Sequence, residues 1–288
     1  MNIQETFKKN RPNLSDTSIK TYCSIIRSVC KKTGLNVDEL TANVEKIIAS
    51  YKDLKPSSRK TILSALYVLT GNKDFQKQMA DDSDASTVIT NKQEKTDKQK
   101  ENWLSQEEIQ KVYESLTSTA KMLYKKSSLT NGDLQHLINY ILFSVCSGIY
   151  IPPRRSLDWC AFKIKNINKD EDNYIEKNEF VFNKYKTAKT HAQQRVAIPK
   201  DLKAILNKWI KINPTDWLVF DANLQPLNNV KVNQRFNRIF GGSKGVNSFR
   251  HSYLTSKFGY TIDQQNEINE TMEDMGSSAN MLNTYVKK

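Results

Sequence analysis

The residues best equipped for chemistry stand near the C-terminal end of the sequence. Arg250 and His251 lie in Gly245-Val246-Asn247-Ser248-Phe249-Arg250-His251-Ser252-Tyr253-Leu254-Thr255; Met275-Gly276-Ser277-Ser278 follows, then Tyr285. A guanidinium can bind the non-bridging oxygens of a phosphate bidentately. A phenol can attack the phosphorus, forming a covalent intermediate. Breaking a phosphodiester with a protein hydroxyl needs both groups. It also needs a second guanidinium for the charge that grows on the phosphoryl oxygens and an acid for the leaving 5′ oxygen. A lone helical arginine ordinarily just packs its stem, and a tyrosine on an apolar helix face is common in a chain with 12 of them. Order and spacing set Arg250 and Tyr285 apart from those.

The run 247–255 resembles the His-x-x-Arg-His-Thr-Phe motif of the tyrosine recombinases, the phage-type integrases, with Asn247 where the motif has its first histidine. Met275-Gly276-Ser277-Ser278 is similar to the family's Leu-Gly-His-Ser-Ser, with the histidine replaced by Ser277 or deleted. In the family the nucleophilic tyrosine follows about three helical turns later, which implies Tyr285. Upstream, Ser147-Gly148-Ile149-Tyr150-Ile151-Pro152-Pro153-Arg154-Arg155-Ser156-Leu157-Asp158-Trp159 resembles a variant of the family's first box, Thr-Gly-Leu-Arg-x-x-Glu-Leu. Registering on Arg-x-x-acid places Arg155 on the phosphate clamp and Asp158 as its supporting carboxylate. Registering on Gly148 puts Tyr150 there, which carries no cation for phosphate. Arg155 is therefore the second clamp, with Arg154 its immediate neighbour.

The resemblance further implies a lysine on a β-hairpin between the boxes, acting as general acid. Lys184, Lys186 and Lys189 all fall in that stretch, and Lys186-Thr187 best resembles the family's Lys-Thr step. Hairpin tips are also lysine-rich for solubility alone. The two missing histidines matter, because Asn247 and Ser277 donate hydrogen bonds but do not titrate near neutrality. Proton transfer is then slowed, or rebuilt around His251.

Composition agrees with a nucleic-acid partner. The 288 residues carry 44 Lys plus Arg against 31 Asp plus Glu, a net +13 that draws the chain to a polyanion. No basic amphipathic helix with a Trp/Phe-rich face points to a membrane surface. No apolar run approaches the roughly eighteen residues of a spanning helix, and no signal-peptide pattern is present. The expected setting is a reducing cytoplasm or nucleus, not secretion. Cys23, Cys30, Cys146 and Cys160 form no Cys-x-x-Cys pair and only three histidines exist, so neither a metal site nor a cofactor is expected.

The elements that must position these residues read as two domains, a size the chain length allows. Ser15 caps a helix through Ile19, Cys23, Ile26 and Cys30 that Gly34 stops. A second helix is expected through Val37, Leu40, Val44, Ile47 and Ile48, and a third from Pro56 to Gly71. Residues 1–80 form this helical, DNA-clamping bundle. Residues 81–102 lose almost all apolar character and have linker composition. Residues 103–288 restart at Leu104-Ser105-Gln106-Glu107-Glu108 with a capping box. There a helix through Leu137 and Val145 precedes three strand-like stretches at 162–167, 179–182 and 195–198, after which helices resume. The fold class expected is mainly α with a small antiparallel β-sheet.

The function these features imply, through the resemblance, is site-specific recombination or integration on double-stranded DNA. It proceeds by a 3′-phosphotyrosyl intermediate, with self-association as a tetramer on DNA. A catalytically silent DNA-binding relative and a type IB topoisomerase-like enzyme stay open as alternatives.

Overall fold

A computed structural model describes residues 2–286, the side chain of Lys189 excepted. The chain divides into two compact units, Met1–Lys95 and Thr96–Lys288.

The first unit contains helices α1 (Ile3–Asn10), α2 (Asp16–Thr33), α3 (Val44–Ser50), α4 (Pro56–Thr70) and α5 (Lys73–Asn91). The Ser15 side chain accepts from the Ser18 amide and caps α2, and Gly34 ends that helix in the left-handed conformation at φ 71°. Phe7, Ile26, Val29, Leu40, Ile47, Leu66 and Phe75 are fully buried between the helices. The single helix expected from Val37 to Ile48 does not form. A 3-10 turn at Val37–Glu39 replaces its first part, and α3 begins at Val44. The cause is polar competition for the backbone: Glu39 accepts from the Asn36 amide at 2.7 Å, and Asn43 Nδ2 donates to the Glu39 carbonyl at 2.9 Å.

The stretch 81–102 is not a structureless linker. Helix α5 runs through its first half, and α6 (Asp97–Glu101), capped reciprocally by Thr96 and Gln99, lies in its second. The division into two units falls inside it, between Lys95 and Thr96. Apolar periodicity misses α5 because a polar contact holds it. Asp82 is 1% exposed and accepts from Arg59 Nε of α4 through both oxygens, at 2.8 and 3.0 Å. A buried carboxylate is tolerated only with such a bidentate partner.

The second unit continues with α7 (Gln106–Leu123), α8 (Asn131–Cys146) and α9 (Ser156–Trp159). A three-stranded antiparallel sheet follows, in the order β1 (Tyr174–Glu176), β2 (Glu179–Phe182), β3 (Gln194–Ala197). Tyr174 pairs with Val181 and Phe180 with Val196. The β2–β3 connection holds α10 (Ala188–His191), and α11 (Lys200–Ile212), α12 (Asn229–Phe240), α13 (Val246–Asp274) and α14 (Leu282–Tyr285) complete the unit. The strand expected at 162–167 is instead an irregular extended segment. Lys163 bonds to the Asn173 carbonyl and Ile164 to that of Asp216. Its bonds go to two different segments, so no one partner builds a ladder.

Helix α8 is the central element, buried from Leu137 to Cys146 except at Asn139. Phe143 packs against Phe236, Phe240 and Phe249 with ring centroids 5.4–6.4 Å apart. Trp159, Phe162, Phe180 and Phe182 form a second aromatic group under the sheet. Each buried ring contributes ~1.5–3 kcal/mol relative to exposure. Together they fix α9, β2, α12 and the start of α13 against α8. Beyond Tyr253, however, α13 leaves the core: from Leu254 to Thr271 every residue is exposed except the half-buried Gly259 and Ile268.

Candidate functional site

The segment after α8 must turn sharply to reach α9, and Gly148 makes the turn. Its φ is +93°, and a Cβ there would sit 2.8 Å from Tyr253 Cδ2 and 3.3 Å from Pro153 Cγ. Only glycine combines that backbone with that approach. Tyr253 belongs to the first turns of α13, so the close packing brings the Arg154-Arg155 segment beside Arg250.

Helix α13 is seated by its own sequence. Val246, Phe249 and Ser252 are buried at three-residue spacing, which turns one face of the helix inward. The Ser252 hydroxyl accepts from Gln106 Nε2 of α7 at 2.7 Å. At the N-terminus Asn233 of α12 accepts from the Val246 amide, and a Cβ at Gly245 would lie 2.5 Å from the same Asn233 oxygen.

The two adjacent arginines have different fates. Arg154 donates from Nε to Asp158 Oδ2 at 2.8 Å and from an Nη to Gln194 Oε1 of β3 at 2.9 Å. Its guanidinium carbon also lies 3.9 Å from the Phe182 ring centroid and 5.3 Å from that of Tyr185. Arg154 thus ties α9, β2 and β3 together, and its donors are occupied. Arg155 is the N-cap of α9 in extended conformation. Successive side chains of extended backbone point to opposite sides, and Arg155, half-buried, makes no hydrogen bond or ion pair among the described residues. Arg250 is likewise half-buried and without such a partner.

These side chains share one electrostatic neighbourhood. Burial lowers the pKa of Arg250, the charge of Arg155 lowers it further, Asp158 raises it and Arg154 lowers it. Asp158 is 3% exposed; its carboxyl pKa is raised by burial and pulled back by Arg154, Arg155 and Arg250. Asp158 Oδ1 is buried without a hydrogen-bond partner among the described residues. Three guanidiniums therefore surround one carboxylate, and two of them keep their donors free. An anion entering between Arg155 and Arg250 relieves the repulsion and satisfies the donors.

The remaining candidates lie around this pair or away from it. Asn247 is exposed one turn before Arg250 on α13. With His251, Ser248, Asn102 and Trp103 it lines a cavity of about 350 Å³. Lys186 is exposed in the turn between β2 and α10, next to Tyr185, whose hydroxyl donates to the Ala192 carbonyl at 2.7 Å. Lys184 pairs with Glu171 at 3.6 Å, and the side chain of Lys189 lies outside the described residues. Tyr150 hydrogen-bonds to Tyr113 under α8, and burial, then Tyr113, pushes its phenol pKa up. Tyr285 is 57% exposed at the end of α14.

Sequence reasoning did not assign Arg154 its tie to Gln194, nor Gln106 its bond to Ser252. The Arg154–Asp158 spacing of four residues was a legible signal; Gln194 and Gln106 gave none. No group of three His, Cys, Asp or Glu among the described residues is placed to hold a metal ion. No described helix is long and apolar enough to cross a membrane.

No protein-family model matches the sequence, and no curated protein matches it. Solved structures do. A lambda integrase dimer bound to a COC′ core site aligns with a TM-score of 0.50 at 15% identity, covering 91% of this chain and 71% of that one. XerH site-specific recombinase bound to difH substrate aligns at 0.41 and 15% identity, covering 99% and 91%, and XerA recombinase at 0.38 and 12%, covering 90% and 84%. The chain is mainly helical with a small antiparallel sheet, and it has the fold of tyrosine recombinase catalytic domains.

Proposed function

We propose that this protein cleaves and rejoins double-stranded DNA as a site-specific recombinase or integrase. The observation that carries the reading is the pair Arg155 and Arg250: two half-buried guanidiniums beside one buried carboxylate, both with donors left over for a phosphate. Such a pair suits a scissile phosphate, whose charge rises in the transition state. The likeness of fold to lambda integrase, a structure bound to a core site, supports it.

In this reading the Tyr285 oxygen forms a bond to phosphorus while the bond to the 5′ oxygen breaks. The phenol loses its proton to water, and the leaving oxygen gains one from Lys186. Asn247, one turn from Arg250, donates a hydrogen bond to the phosphate. The product is a 3′-phosphotyrosyl link and a free 5′ hydroxyl. Attack by a 5′ hydroxyl from a partner duplex reverses the step. The bond energy is kept in the covalent link, so the step balances without metal or nucleotide. Copies of the chain assemble as a tetramer on DNA.

The test is a nicked suicide duplex that traps the covalent intermediate. An SDS-resistant protein–DNA adduct is expected, together with duplex affinity that falls steeply with salt as counterions are released. Salt-dependent binding with no adduct on any suicide substrate favours the catalytically silent DNA-binding reading.

A further inference from the structure

Helices α8 and α12 and the turn at Asp221–Asn223 enclose a cavity of about 660 Å³ in the second unit, and it shares no residue with the arginine pair. Asn131 Nδ2 donates to the Ala222 carbonyl at 2.9 Å and fastens that turn to the start of α8. The volume falls in the range of small-molecule sites, roughly 300–1,000 Å³. Leu116, Leu227 and Ile239 give the cavity apolar walls, and Arg235, Arg238 and Lys231 face it against one carboxylate, Asp221. The half-buried guanidinium of Arg235 meets only neutral acceptors: from Nη1 it donates to the Gln135 carbonyl at 3.2 Å and to Asn139 Oδ1 at 2.8 Å, and from Nη2 to Gln135 Oε1. Three of the five guanidinium hydrogens are thus taken. The Nε hydrogen and one on Nη2 have no acceptor among the described residues. Burial lowers the pKa of Arg235, the charge of Arg238 lowers it further and Asp221 raises it. Arg238, one turn later on α12, is exposed and has no hydrogen bond or ion pair among the described residues. Asp221 is committed elsewhere. Its Oδ2 accepts from Lys231 Nζ at 2.5 Å, and its Oδ1 accepts from the amides of Asn223 and Gln225 at 2.8 and 3.1 Å.

We propose that this cavity binds an organic phosphate of nucleotide size, its phosphate held by Arg235 and Arg238 and its organic part lying against Leu116, Leu227 and Ile239. With Lys231 and Asp221 cancelling one another, two guanidiniums remain. Their charge matches a phosphate monoester, which carries about −1.5 to −2 near neutrality, better than it matches a single carboxylate. A guanidinium taken out of water without a carboxylate is unfavourable in folding. An anion in the cavity removes that penalty and takes up the free donors through charge-assisted hydrogen bonds. The His136 ring and the side-chain amides of Asn223 and Gln234 line the same space and offer hydrogen bonds to the rest of the ligand. The inference does not depend on whether the chain cleaves DNA.

Calorimetric titration of the full chain with the four ribonucleoside monophosphates and ribose 5-phosphate tests this, with adenosine and inorganic phosphate as separate probes. At least one of the organic phosphates should bind saturably, and more tightly than inorganic phosphate or adenosine. Arg238→Glu changes an exposed side chain that holds nothing in the fold, and should weaken that binding about tenfold or more, the loss of a charge-assisted hydrogen bond. Arg235→Lys keeps the charge but loses the fork, and should weaken it as well. Arg250→Ala should leave it unchanged, and it should persist when the chain is saturated with a duplex oligonucleotide. Binding that duplex displaces, that Arg250→Ala abolishes, or that both Arg238→Glu and Arg235→Lys leave intact overturns the inference, because the phosphate then sits elsewhere. Absence of saturable binding by all five organic phosphates overturns it too. If in that case Arg238→Glu lowers duplex affinity, the cavity's cations serve the DNA backbone instead.

Discussion

Arg250 of α13 and Arg155 at the start of α9 repel one another, and the charge of Arg155 lowers the proton affinity of Arg250. The Asp158 carboxylate offsets part of that repulsion, and packing supplies the rest: Phe249 in the aromatic cluster on one side, and Gly148 under Tyr253 on the other. Two like charges kept close are a cost in folding and an asset in binding an anion. Removing either guanidinium should lower cleavage by about 100- to 1,000-fold, or ~3–4 kcal/mol of transition-state stabilisation. Duplex affinity should hardly change, because one phosphate contact is lost among many. Gel-shift and adduct assays on Arg155→Ala and Arg250→Ala check this.

Arg154→Ala should behave differently from its neighbour. It releases Asp158, Gln194 and the Phe182 ring at once, leaving the buried carboxylate without its hydrogen-bonded partner. Breaking a buried pair in this way costs on the order of 3 kcal/mol or more. A lowered thermal midpoint of the whole chain is expected, with any cleavage defect following from it. If Arg154→Ala is stable yet inactive while Arg155→Ala is active, the two roles are reversed.

Gly148→Ala places a methyl group within 2.8 Å of the Tyr253 ring at a φ of +93°. The strain amounts to roughly 1–3 kcal/mol, and relief requires α13 to move away from the Pro153–Arg155 turn. Chemical denaturation should register the lost stability, and adduct formation should fall further than stability alone predicts. Full activity with unchanged stability would show that this contact does not align the arginines.

Acid should loosen the second unit at the start of α8. Hydrogen bonds from Lys126 Nζ, and then from the amide and hydroxyl of Thr130, hold the Asp133 carboxyl at about 2 against an ordinary 3.8. A depressed carboxylate pKa stabilises the fold above the unfolded value and loses that contribution as pH falls through the folded value. The loss should therefore run from about pH 4 down to about pH 2. Thermal melts across that window should show it, and Asp133→Asn should flatten the slope. Thr130→Ala, which removes the cap, should cost about 1 kcal/mol at neutral pH.

Gly259 lies in the projecting part of α13, where a Cβ would meet Thr255 Cγ2 at 3.9 Å and nothing nearer. No packing constraint keeps it small, and replacing a mid-helix glycine by alanine stabilises by roughly 0.5–1 kcal/mol. Gly259→Ala should raise helicity by circular dichroism and leave adduct formation intact if α13 acts as a straight arm. A sharp loss of adduct would mean that the helix bends there during cleavage.

Much of this protein is legible without coordinates. The Ser15 cap, the Gly34 and Gly71 stops, the Ser105–Glu108 capping box and the apolar run of α8 are local signals, in which each residue interacts with neighbours three or four positions away. The two-part organisation, the mainly helical class with a small sheet, and Arg155, Arg250 and Tyr285 as candidates rest on such signals and on motif order. Tertiary contacts decided the rest. Helix α5 depends on Asp82 meeting Arg59, the 162–167 segment bonds to two distant partners, and Arg154 is distinguished from Arg155 by Gln194 and Phe182. Motif spacing also carries no information about direction in space. Tyr285 follows Arg250 at a suitable interval in sequence, yet α13 runs unbroken to Asp274 and the chain turns back only beyond it, so that Leu282 lies beside Gln264, Ile268 and Met272 of the helix, a course that motif spacing does not encode.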